Sequence, residues 1–127
     1  MNEYIIYHNP RCSKSRQALQ LLRDAGIEPT IIEYLKTPLA KEQLKNISQL
    51  LGLRPKDFVR KIEKDFKDNH LSESLEDDDK ILDAMSLFPK IIERPIVVFR
   101  GEAVIGRPPE NVQKLIYICL FLVRIYK

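Results

Sequence analysis

The sequence has no tryptophan, only two cysteines, no long apolar run at its start and no block of basic charge. Each shortage removes a class of protein. Cys12 and Cys119 stand near opposite ends of the chain, so they are no disulfide framework, and no C-x-x-C pair or Cys/His cluster offers a zinc site. The formal net charge is only +3, with both signs interspersed, so nucleic acid is not an expected partner. The opening Met1–Pro10 lacks both the basic region and the apolar core of a secretory signal. The expectation is a reducing cytoplasm, where a lone thiol stays free. Leu115–Val123 is apolar on every side but far short of the ~20 residues that cross a bilayer, so no membrane partner is expected.

What is there reads as one α/β domain over residues 1–127, large enough to bury a core without staples. Tyr4–Tyr7 is a short β-rich run, expected to be buried on both faces. Ser13–Ala25 carries Ala18, Leu19, Leu21, Leu22 and Ala25 at helical spacing before a capping Gly26. Thr30–Tyr34 is a second strand, which completes a βαβ unit with a parallel pair. Residues 38–90 then read as a helical insertion between the second and third strands. Leu44, Ile47, Leu50 and Leu51 form one stripe, and Arg54-Pro55 is expected to open a helical stretch containing Phe58, Val59 and Ile62. The acidic Glu76–Asp79 reads as a solvated cap on a helix bearing Ile81, Leu82, Ala84, Met85 and Leu87. Ile96–Phe99, a turn at Arg100-Gly101-Glu102 and Ala103–Ile105 form a hairpin, and Gly106–Glu110 opens a last helix. The pattern is βαβ, helices, ββα.

Cys12 stands out because it lies in the turn between the first strand and first helix. Helix N-terminal N–H groups and the positive end of the helix dipole favour thiolate over thiol there, and bind anions. His8, Arg11, Lys14 and Arg16 are expected to add positive charge, and the Ser13 and Ser15 hydroxyls to donate to the thiolate. The alternative is a buried structural thiol, but such cysteines sit in apolar runs, and this one sits in Asn-Pro-Arg-Cys-Ser-Lys-Ser. Cys119, inside Leu115–Phe121, does fit that description: a packed or interface thiol, with no role in resolving an intermediate.

Tyr7–Arg16 resembles the active-site loop of the glutaredoxin-coupled arsenate reductase family, the ArsC-like proteins. Phe58-Val59-Arg60, Glu93–Val98 and Gly106-Arg107-Pro108 fall where that family has its other signatures, so the resemblance runs from Tyr4 to about Leu115. It implies a thioredoxin-like mixed sheet and a cis peptide bond before Pro95. It also implies that Cys12 attacks arsenate while Arg60, Arg94 and Arg107 hold its oxygens, with His8 and Ser15 keeping the cysteine ionised. No metal or bound cofactor is implied; glutathione is a co-substrate and glutaredoxin the partner that resolves the mixed disulfide.

The chemistry of these residue types agrees. A dianion beside a thiolate needs fixed cations, and guanidinium supplies a planar fork that stays protonated. Arg60 has the plainest alternative, a solvated place on a helix face; Arg107, at a helix start, and His8, as a turn residue, have theirs. The loop reads Cys-Ser-Lys-Ser, without the second cysteine of a disulfide switch. That favours an external thiol over the related regulators that bind RNA polymerase. A glutathione-dependent thiol-disulfide oxidoreductase with another substrate remains open.

Overall fold

The computed structural model describes residues 3–116, so Cys119 and the apolar segment after Ile116 lie outside the described residues. The chain forms two compact units. The first joins the described residues up to Glu33 with those from Arg94 onward; the second is Tyr34–Glu93, within which the expected insertion falls.

The first unit is built on strand β1 (Ile5–Tyr7), helix α1 (Ser13–Asp24), strand β2 (Thr30–Ile32) and the hairpin β3 (Ile96–Phe99) and β4 (Glu102–Ile105). The sheet order is β2-β1-β3-β4. Strand β1 runs parallel to β2, with Ile6 beside Ile31, and antiparallel to β3, with Ile6 beside Val97. This is the thioredoxin-like mixed sheet. Helix α1 buries Ser15, Ala18, Leu19 and Leu22 as one stripe and stops at Gly26, whose φ of 80° suits a residue without Cβ. Ala18 and Leu22 pack with Tyr4, Ile6, Val97, Phe99, Val112 and Leu115 into the core of this unit. Each large side chain fully buried there contributes about 1.5–3 kcal/mol. The Tyr4 ring stacks on Phe99 at 3.9 Å between centroids, and its hydroxyl donates to the Leu115 carbonyl at 2.9 Å.

Strand β1 differs from expectation in one respect. Only Ile6 is fully buried, whereas Ile5 and Tyr7 are half-buried, so one face packs on the core and the other stays partly open. The hairpin turn is also one residue shorter than expected, because Phe99 pairs with Glu102. Arg100 and Gly101 alone make the reversal, both with positive φ (49° and 75°), as a two-residue turn of right-handed twist requires. After β4 the chain makes a single 3₁₀ turn at Pro109–Val112, continued as helix over 113–116, so regular helix starts later than Gly106–Glu110 suggests.

In the second unit, helices α2 (Lys41–Leu51) and α4 (Asp78–Leu87) pack through Leu44, Ile47, Ile81 and Met85, with the short helix α3 (Lys64–Asp68) between them in sequence. Gln43 accepts from the Ala40 N–H at the start of α2, and Gly52, at φ 67°, closes its end. The acidic run caps as expected: Asp77 accepts from the Lys80 N–H, while Glu76 and Asp78 pair with Arg54 and Lys56 at the surface. The helix expected from Arg54 through Ile62 is absent. A 3₁₀ turn at Pro55–Asp57 is followed by extended chain in which Val59 bridges Ile92. Here pairing between distant segments overrides local periodicity, and Ile62 is left 74% exposed.

Candidate active site

The segment between β1 and α1 is fastened before it reaches Cys12. Pro10 has no N–H to satisfy, and Asn9 folds the turn, its side-chain oxygen accepting from the Arg11 N–H at 3.0 Å and its carbonyl from the Cys12 N–H at 3.0 Å. The Asn9 N–H donates in turn to Ser15 Oγ at 3.1 Å, and Ser15 Oγ shares a 2.6 Å hydrogen bond with His8 Nδ1. His8, Asn9 and Ser15 are all buried, so this small network ties the loop to the first turn of the helix. Cys12 is left as the residue that caps α1, half-buried and free, its carbonyl accepting the first helical bond from Arg16.

Strand register brings two arginines to the same place. Ile96 pairs with Ile105. Continued past the strand ends, that register sets Pro95 against Gly106 and Arg94 against Arg107. The Gly106 N–H donates to the Pro95 carbonyl at 2.8 Å, and Arg107 Nη1 donates to the Arg94 carbonyl at 3.2 Å. Gly106 must be bare here, since a Cβ would stand 2.8 Å from the Pro95 ring. The peptide bonds Arg94–Pro95 and Arg107–Pro108 are both cis; the first is expected and the second is not. Because Tyr7 pairs with Ile96, the end of β1 leading to Cys12 and the open end of the hairpin meet at one end of the sheet. There Arg107 Nη1 lies 3.6 Å from Cys12 Sγ.

The electrostatics follow from this packing. Burial pushes the Cys12 thiol up, but the Ser15 backbone N–H, the Arg107 and Arg94 guanidinium groups and the Lys14 backbone N–H outweigh it, so the thiol titrates below its ordinary range. The two amides act as the partial positive charge of the helix end without closing a formed capping hydrogen bond. Two expectations are corrected. His8 does not add charge: its burial lowers its pKa, Arg23 and Arg16 lower it further against Glu33, and the ring is neutral near pH 7. Ser15 acts on the sulfur through its backbone N–H, because its hydroxyl is engaged with His8 and Asn9. Asn9 and Gly106, which hold this geometry, were not singled out by the sequence reading; an Asn before Pro and a Gly between a strand and Arg-Pro were the available signals.

Residues 7–115 match the model of the ArsC family. Relatives agree. An arsenate reductase of Neisseria meningitidis is 41% identical over 91% of this chain and 100% of its own length. The protein YfgD of Escherichia coli, described as uncharacterized, is 43% identical over 87% of this chain and 94% of its own. A solved arsenate reductase from Vibrio cholerae superposes with a TM-score of 0.86 at 46% identity, covering 89% of this chain and 97% of that one.

The chain belongs to the ArsC family.

Of the residues that the ArsC resemblance marks, the first unit brings together Cys12, His8, Ser15, Arg94 and Arg107. Arg60 belongs to the second unit, where it is not on a helix. It follows the Val59–Ile92 bridge and is held by two carboxylates, Glu63 and Glu93. Among the described residues no group of His, Cys, Asp and Glu is arranged to hold a metal ion, and no helix is long and apolar enough to cross a membrane.

Proposed function

We propose that this ArsC-family chain is an oxidoreductase that reduces arsenate through the Cys12 thiolate, with glutathione and glutaredoxin supplying the electrons. The observation that carries the reading is the sulfur itself: half-buried at a helix N-terminus, 3.6 Å from the Arg107 guanidinium, with its pKa lowered. Such a group is both nucleophile and part of an anion-binding locus. The arsenate reductases among its relatives support arsenate as the anion.

In this mechanism Cys12 Sγ attacks arsenic and water leaves, forming an S–As bond. Arg94 and Arg107 neutralise the oxygens; the resemblance adds Arg60 to them. A glutathione thiolate then attacks Cys12 Sγ, an S–S bond forms, and the S–As bonding pair stays on arsenic, which departs as arsenite. Glutaredoxin takes the glutathione from the mixed disulfide by thiol exchange and returns Cys12 to the thiolate. His8 and Ser15 serve by fixing the loop, so that the first-turn amides face the sulfur.

The test is steady-state arsenate reduction with glutathione and glutaredoxin present. Cys12→Ser abolishes turnover. Arg94→Ala and Arg107→Ala each lower kcat/KM by roughly ten- to a hundredfold, the effect of losing one charge-assisted contact. Arg100→Ala, in the exposed hairpin turn, leaves it nearly unchanged. Arsenate kinetics indifferent to both Arg94 and Arg107 would overturn the reading. A second reading, a glutathione-dependent thiol-disulfide oxidoreductase, is favoured by one observation: Arg60 is already paired with two carboxylates, and a neutral disulfide has no need of it. Turnover of a disulfide substrate in the absence of arsenate turnover would select it.

A further inference from the structure

Arg107 reaches Cys12 from a stretch of chain at the margin of the sheet. Strand β4 is last in the strand order, with β3 as its strand neighbour. The Gly106 N–H donates to the Pro95 carbonyl, which makes Ile96 and Ile105 a pair without mutual hydrogen bonds and turns the Ile105 carbonyl away from β3. Beyond Gly106, Pro108 and Pro109 have no N–H with which to extend the ladder. The segment that bears Arg107 therefore needs its fixing bonds from elsewhere.

Asn111 supplies them. Its Nδ2 donates to the Ile105 carbonyl at 3.2 Å and to the Arg107 carbonyl at 3.1 Å, and its backbone N–H donates to the Pro108 carbonyl at 3.0 Å. The carbonyls of Ile105, Arg107 and Pro108 thus converge on one residue. A side-chain amide carries two N–H donors on a short arm, and reversing it would set its own oxygen against two carbonyl oxygens. Asn111 sits in the Pro109–Val112 turn, and the next residue, Val112, is fully buried in the core of this unit. A Cβ at Gly106 would stand 3.3 Å from the Val112 side chain, so the turn and the Arg107 segment are closely packed. The clamp is anchored to the core at one end and to the Arg107 backbone at the other.

From that backbone the Arg107 guanidinium extends to Cys12 Sγ at 3.6 Å and to the Arg94 carbonyl at 3.2 Å. Such contacts weaken steeply as distance and angle depart from their optimum, so a small shift of the backbone is felt at the sulfur. We propose that Asn111 is a positioning residue for the Cys12 chemistry: its amide clamps Ile105–Pro108 and so holds the Arg107 guanidinium against the reactive sulfur. It acts through Arg107. The inference rests on the parts given to Cys12 and Arg107 under the proposed function.

The test compares Asn111→Ala and Asn111→Leu with the wild type in the full chain. Asn111→Leu keeps the volume, and both variants remove the side-chain donors. The readouts are iodoacetamide alkylation against pH, followed at Cys12 by mass analysis of its peptide, protection by phosphate, and arsenate kinetics with glutathione and glutaredoxin. Both variants raise the alkylation midpoint, in the direction of Arg107→Ala. Both also weaken phosphate protection and arsenate kcat/KM by about two- to tenfold, the net worth of one hydrogen bond. In an Arg107→Ala background, Asn111→Ala adds no further change. A role confined to stability would lower the denaturation midpoint and leave the pH midpoint of the folded enzyme in place. That result in both variants, while Arg107→Ala still raises the pH midpoint, overturns this inference and leaves the Cys12 reading standing. An undiminished effect of Asn111→Ala in the Arg107→Ala background overturns it as well. Arsenate kinetics indifferent to Arg94→Ala and Arg107→Ala remove the proposed function and this inference with it.

Discussion

Replacing Arg107 by alanine removes a guanidinium that donates to the reactive sulfur. Arg107 Nη1 lies 3.6 Å from Cys12 Sγ and also donates to the Arg94 carbonyl at 3.2 Å. Unit charges about 4 Å apart attract by about 1 kcal/mol in water and about 4 kcal/mol in the medium typical of a protein surface. Both residues are half-buried, so solvent screens the pair and the lower part of that range applies. The expected loss is about 1–2 kcal/mol, which raises the Cys12 pKa toward the ordinary thiol range. Arg107→Lys recovers part of this, since an ammonium keeps the charge but not the planar guanidinium geometry. The assay is the rate of alkylation by neutral iodoacetamide against pH, checked by the ultraviolet absorbance of the thiolate. Added salt narrows the gap between wild type and Arg107→Ala by screening the pair. A midpoint in Arg107→Ala equal to that of the wild type refutes the argument, because the sulfur would then owe its ionisation to the helix amides and Arg94.

Three further outcomes are expected. Gly106→Ala drives a Cβ to 2.8 Å from the Pro95 ring and 3.3 Å from Ala18, so chemical denaturation registers a loss of about 1–3 kcal/mol and the Cys12 pKa rises as Arg94 and Arg107 shift. His8 is held neutral with a lowered pKa, so its contribution to stability is complete above the ordinary histidine value of 6.5 and is lost as pH falls through the lower folded value. In denaturation followed across that window, His8→Gln therefore flattens the acid-side decline relative to the wild type, and equal slopes would contradict the assignment. Asp77→Ala removes the acceptor for the Lys80 N–H at the start of α4 and costs about 1 kcal/mol by the same measurement, with arsenate kinetics unaltered.

Much of the first unit was readable locally. A β-rich run, a helical stripe ending at Gly26 and a hairpin with Gly101 each express short-range preferences that the tertiary structure reinforces. The position of Cys12 at a helix N-terminus belongs with them, because Asn9, Pro10 and Ser15 make the turn and tie it down within a few residues. The middle of the chain was less readable. Phe58, Val59 and Ile62 satisfy a helical pattern, yet Val59 is extended, because a bridge to Ile92 brings it a partner that no local window contains.

The sequence by itself determined which groups are present: one thiol in a polar loop, an anion-binding helix end, and three arginines placed beside Phe-Val, Pro95 and Pro108. Tertiary structure decided what those groups do to one another. Arg94 meets Arg107 because the hairpin turns on two residues, not three, and a shift of one residue in register sends a side chain to the opposite face. His8 is neutral because it is buried, and burial belongs to the packed sheet and helix, not to the residue. Arg60 is a compensated cation because chain segments some thirty residues apart set Glu93 against it at 2.7 Å. Residue identity supplies charges and nucleophiles; distance and solvent exclusion, which only the fold controls, set their strength.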